Sequence, residues 1–121
     1  MNEDYEAPAE VSPDEIDRTI HEPARLNIML YLYVVVEANF LWLLRKTGLT
    51  RGNLSVHLQK LEASGYVEIN KEFENKIPRT LIRLTARGRR AFERYRETIL
   101  ALLGQEDNAG PDTSADPPLG D

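Results

Sequence analysis

The chain has 121 residues, no cysteine and a formal net charge of −5. That length suits a single domain, and the lack of cysteine excludes disulfides and thiolate metal sites. The two histidines, His21 and His57, lack the spacing of a zinc pair, and the longest apolar run, residues 28–36, is nine residues and too short to cross a bilayer.

The net charge conceals an uneven distribution. Residues 1–13 hold four acids and residues 105–121 hold five, with no Lys or Arg in either stretch. Both are poor in apolar residues and are expected to be disordered acidic tails, because neither buries enough surface to offset ordering. The folded domain is then residues 14–104, large enough for a small core. Within it, residues 45–96 hold 13 basic and five acidic side chains. A basic segment inside an acidic chain points to a nucleic-acid partner, although Lys and Arg also simply solvate surfaces.

In chain order, the first expected element is a short helix over residues 14–20, capped by Ser12 with Pro13 at its first position. Its Ile16 and Ile20 are four apart and can dock together. Pro23 suits the start of a second helix running to Val36 or Glu37. Leu26, Met29, Leu30 and Tyr33 follow helical spacing, and the segment is apolar on nearly all sides, as a central core helix would be. The β-branched run Val34, Val35 and Val36 leaves a strand open at its end. Tyr31, Tyr33 and Trp42 are open to two readings: core aromatics, which their spacing favours, or the lining of a small-molecule effector pocket, which nothing else in the sequence supports.

Residues 39–66 read as two helices joined by a tight turn. Asn39 caps the first and Gly48 closes it. Thr50 caps the second, with Leu49 and Leu54 placed as a hydrophobic staple. Gly65 supplies the left-handed position past its end, so that Tyr66 packs back on Leu61. This helix is expected from Arg51 to about Ser64. Leu54, Leu58 and Leu61 form its inner face, and Arg51, Asn53, Ser55, Val56, Gln59 and Lys60 its outer face. Arg51 at the positive end of the helix dipole and Gly52 in the first turn do nothing for helix stability. Both suit a turn that lies against a phosphate in a DNA groove. His57 is expected to pack or hydrogen-bond beside this helix.

The period then changes. Val67, Ile69 and Phe73 alternate with Glu68, Asn70 and Glu72, with Lys71 on the apolar side. A second strand over residues 79–84 follows, and residues 74–78 between them read as a longer hairpin tip rather than a two-residue turn. Lys71, Lys76, Arg79 and Arg83 make the hairpin basic, which also serves to protect an edge strand from aggregation. Thr85 caps a last helix running to about Leu103, with a stripe of Phe92, Tyr95, Ile99, Leu102 and Leu103. The stripe is longer than one small core needs, which predicts homodimerisation through this helix, assisted by Ile16 and Ile20.

The order of helix, helix-turn-helix, basic hairpin and helix, together with two motifs, resembles small prokaryotic winged-helix transcriptional regulators of the MarR/ArsR type. The run from Leu49 to Val67 is similar to that family's LTxxxLSxHLxxLExxGxV, and Leu84, Thr85 and Gly88 to its LTxxG after the wing. The resemblance implies a mainly α, α+β winged helix-turn-helix fold and a homodimer with a C-terminal dimerisation helix. It also implies double-stranded DNA as partner and a cytoplasmic, nucleoid-associated location. Carried to this chain, Thr50, Arg51, Asn53, Ser55, Val56 and Gln59 face the major groove, Lys60 lies near the backbone, and Lys76 and Arg79 belong to the wing. Relatives often have a polar or basic side chain where Val56 stands. A valine reads no base edge by hydrogen bonding, though it contacts a thymine methyl. ArsR relatives often sense metals through cysteines; with none here, no metal or cofactor is expected.

The alternative is a winged-helix protein-interaction module that binds no DNA, since fold alone does not fix function. No nucleophile–base pairing, acid–base pair or nucleotide loop is present, so the chain is not expected to be an enzyme.

Overall fold

The computed structural model describes residues 10–108. After a single 3-10 turn (Pro13–Glu15) come α1 (Pro23–Val35), β1 (Glu37–Asn39), α2 (Phe40–Thr47), α3 (Arg51–Ala63), β2 (Val67–Glu74), β3 (Ile77–Leu84) and α4 (Ala86–Asn108). Four helices and a three-stranded antiparallel sheet of order β1-β3-β2 form the winged-helix α+β architecture expected from the sequence.

The expected first helix stops early. Ser12 and Glu15 form a reciprocal capping box, but Ile16 is already extended. The Asp17 carboxylate then accepts from the backbone of Thr19 (2.9 Å) and Ile20 (3.2 Å), a local alternative that competes with helix. Ordered structure reaches past residues 14 and 104 toward both termini. Val11 donates to and accepts from the Gln105 side chain, Ser12 caps the first turn, and α4 continues through residue 108. Residues 1–9 and 109–121, the rest of the two expected tails, lie outside the described residues.

Helix α1 is central, as expected, with Ile28, Met29 and Leu32 fully buried. It is not covered all round: Leu30 and Val34 are 49% and 78% exposed. Its end is abrupt. Val36 adopts φ 70, rare for a β-branched residue, while its N–H donates to Leu32 and its carbonyl accepts from Leu84, both at 2.8 Å. The β-branched run thus breaks the helix and leads into β1, which pairs with β3, the central strand, through the Ala38↔Ile82 pair.

The hairpin closes on two residues, contrary to the longer tip read from the sequence. Asn75 and Lys76 both have positive φ (52 and 66), the geometry whose twist matches the flanking strands. Pro78 misled the sequence reading. It sits in the ladder opposite Phe73, one step from the turn-closing pair Glu74↔Ile77. At that alternate position the missing N–H faces away from β2, and β1 does not extend far enough to need it.

Candidate nucleic-acid interface

Helices α2 and α3 are delimited by the residues whose chemistry predicts it. Asn39 accepts from Trp42 N–H at 2.7 Å, and Gly48 closes α2 in the left-handed region at φ 72. Thr50 accepts from Asn53 N–H at 3.2 Å. At the far end of α3, Gly65 (φ 79) and Tyr66 donate to Glu62 and Leu61 respectively, both at 2.9 Å, a complete Schellman ending. Leu54, Leu58 and Leu61 are at most 2% exposed, each contributing about 1.5–3 kcal/mol by burial.

Long-range contacts then hold α3 in place. Thr85 donates through its N–H to the Tyr66 carbonyl (3.0 Å) and through its hydroxyl to the Gly65 carbonyl (2.6 Å). Gly88 comes so close that a Cβ would lie 2.1 Å from the Tyr66 oxygen. On the other flank, His57 meets Arg25 at 3.1 Å and Glu22 at 3.2 Å. Burial works to raise the Glu22 carboxyl, but hydrogen bonds from the N–H groups of Ala24 and Arg25, with His57 and Arg25 nearby, hold it below its ordinary value. The Tyr66 hydroxyl donates to Asp17. Its burial, and then that hydrogen bond, push it up to about 12. The segment before α1 therefore straps the C-terminal half of α3, a role the sequence did not signal.

The outer face of α3 remains open. Thr50, Arg51, Asn53, Val56, Gln59 and Lys60 are exposed, and Ser55 is half-buried. Arg51, Ser55 and Gln59 line a groove of about 340 Å³ whose opposite wall is Ile69, Lys71 and Thr80 of the wing. Lys71, left off the expected contact residues, is thus brought to the recognition helix. The signal was its place on the apolar side of the β2 alternation. Arg79 is opposite Glu72 in the register and ion-pairs with Glu74 on the other face, as Arg83 does with Glu68 at 2.7 Å. The Glu68 hydrogen bond and charge raise the Arg83 guanidinium above its ordinary value. A second concavity, at the free edge of β3, joins Arg51 to Pro78 and Arg79. Among the described residues, Arg51, Lys60, Lys71 and Lys76 make no ion pair.

The residues expected at a dimer interface divide in two. Ile20 (0% exposed), Phe92 (7%) and Tyr95 (9%) lie in this chain's own core, so their apolar character is accounted for within one chain. Ile16 and Ile99 are partly buried against that core, and Leu102 is half-buried. Leu103 and Leu100, the latter missed, are 58% and 53% exposed.

Among the described residues no group of His, Cys, Asp or Glu is placed to hold a metal, and no helix is long and apolar enough to cross a membrane. A capped helix-turn-helix whose open face adjoins a β-wing is the winged helix of transcriptional regulators. Residues 24–103 match the family described as winged helix DNA-binding domain, and the chain belongs to that family. It is 41% identical over 78 residues to an uncharacterised protein of Methanocaldococcus jannaschii, a match spanning 64% of this chain and 85% of that protein. Its fold is similar to that of a transcriptional regulator homologue from Pyrococcus horikoshii (TM-score 0.64, 28% identity, 78% of this chain and 91% of that one). NadR in complex with 4-hydroxyphenylacetate has the same fold (TM-score 0.60, 22% identity), with 76% of this chain and 64% of that one covered.

Proposed function

We propose that this protein is a sequence-specific DNA-binding transcriptional regulator that acts as a homodimer, with α3 in the major groove and the wing on flanking DNA. The observation that carries the reading is the first turn of α3. Arg51 is exposed and has no ion-pair or hydrogen-bond partner among the described residues, and a Cβ on Gly52 would meet nothing within 4 Å. Among the described residues no contact asks for either side chain, whereas an approaching phosphate backbone asks for both. Exposed Leu100 and Leu103 on α4, and exposed Leu30 and Val34 on α1, support a second copy of the chain as the cover for apolar surface.

Fluorescence anisotropy with random and affinity-selected duplexes tests it. Arg51→Ala or Gln59→Ala should cost roughly 1–3 kcal/mol on a selected duplex and flatten preference at particular base positions. If the wild type binds no duplex at about 50 mM salt, where phosphate contacts are strongest, the reading fails and the basic face passes to an acidic protein partner.

A further inference from the structure

The tip of the wing exposes two large apolar side chains, Phe73 at 77% and Ile77 at 64%. The tight turn at Asn75 and Lys76 does not require them, and the core does not use them. The register shows where Phe73 points. Phe73↔Pro78, Lys71↔Thr80 and Ile69↔Ile82 are successive directly opposed pairs, so they share one face. That face runs on into the groove lined by Arg51, Ser55 and Gln59. It carries no acid. Glu68, Glu72 and Glu74 all alternate to the opposite face, where Arg83 and Arg79 neutralise Glu68 and Glu74. An aromatic ring on a strand face that carries Lys71 and no acid, and that runs on to the recognition helix, fits a polyanion with stacked rings better than an apolar protein groove.

The dimensions agree. Phe73 lies four residues beyond Ile69 along β2, about 13 Å at ~3.3 Å per residue, and Ile69 itself borders α3. Half a turn of B-form DNA is about 17 Å, so with α3 in the major groove the tip reaches the adjacent minor groove. Strands are about 5 Å apart before side chains are added, and that groove is only about 6 Å wide. The tip seats fully only if the groove opens. Resting on the DNA-binding reading above, we propose that Phe73 is a wedge. It inserts at a flanking minor-groove step, partly unstacks it and bends the duplex. Such a wedge selects deformable pyrimidine–purine steps at positions that no polar side chain reads.

The test uses the full chain and a selected duplex labelled at both ends for energy transfer, with 2-aminopurine placed in turn at the flanking steps. The wild type should bend the duplex by about 20° or more and raise 2-aminopurine fluorescence at one flanking step. Phe73→Ala should melt like the wild type, because the ring is exposed, yet bind about tenfold more weakly with the salt slope unchanged and the bend lost. Phe73→Leu should keep most of the bend. If the wild type binds and Phe73→Ala bends the same duplex equally, the wedge is overturned and the tip is left to a protein partner. If the wild type binds no duplex, the DNA-binding reading fails first, and this one with it.

Discussion

Replacing Gly88 with alanine tests the contact that joins α4 to the end of the recognition helix. The added Cβ would stand 2.1 Å from the Tyr66 carbonyl oxygen and 2.9 Å from Leu84 Cδ1, whereas such contacts do not fall below 3.0 Å. The first neighbour is backbone, so α4 must retreat by about 1 Å. The Thr85 N–H to Tyr66 bond, now 3.0 Å, would stretch to about 4 Å and fail, and the 2.6 Å bond from the Thr85 hydroxyl to Gly65 would weaken. Each lost bond costs roughly 0.5–1.5 kcal/mol, and overpacking adds about 1–3 kcal/mol. Alanine returns about 1 kcal/mol through helix propensity. The net loss is about 2–3 kcal/mol, a fall in melting temperature of roughly 10–20 °C for a domain of this size. Thermal and urea unfolding followed by circular dichroism measure it. Gly52→Ala is the control: its Cβ meets nothing within 4 Å, so stability should rise by up to about 1 kcal/mol while DNA affinity falls. A Gly88→Ala protein that melts at or above the wild-type temperature refutes the reasoning.

Lys71→Ala should lower the salt slope of DNA binding by about one unit per subunit, and Arg79→Ala by less, because Glu74 already occupies Arg79; equal slopes for the two variants would reverse this assignment. Leu103→Glu places a charge on the exposed side of α4 and should convert dimers to monomers. A wild type that sediments as a monomer at tens of micromolar, roughly where weak dimers appear, removes that expectation. Tyr66 should ionise near pH 12, well above the ordinary value of about 10. Its folded value is the raised one, so the stabilisation it brings is whole below about pH 10 and is lost as pH rises through about 12. Asp17→Asn should lower that ionisation, read by ultraviolet difference titration against Tyr66→Phe; an unmoved titration would dismiss the hydrogen bond as a cause.

The helix-turn-helix was legible in the sequence because its limits are local. Asn39, Gly48, Thr50 and Gly65 each act on backbone groups within three or four residues, and Leu54, Leu58 and Leu61 mark the inner face by spacing alone. What the chain brings together over long separations was not legible. The third strand, β1, exists because Ala38 finds Ile82, and nothing in a three-residue segment announces that partner. Phe92 and Tyr95 read as part of a stripe longer than one core needs, and Ile20 as a docking residue without a stated partner, until the fold showed one core using all three. The positive φ of both Asn75 and Lys76 shortened the wing's turn and fixed which residues of β3 oppose those of β2. Strand alternation makes the outcome all or none: moving the pairing by one residue would exchange Lys71 for Glu72 on the recognition face. Local chemistry thus determined which residues form the recognition helix. The β2 alternation put Lys71 and Phe73 on one side of the wing. Tertiary packing alone decided that this side closes on the recognition helix in a groove that Lys71 lines, with Arg79 paired to Glu74 on the other face of the hairpin.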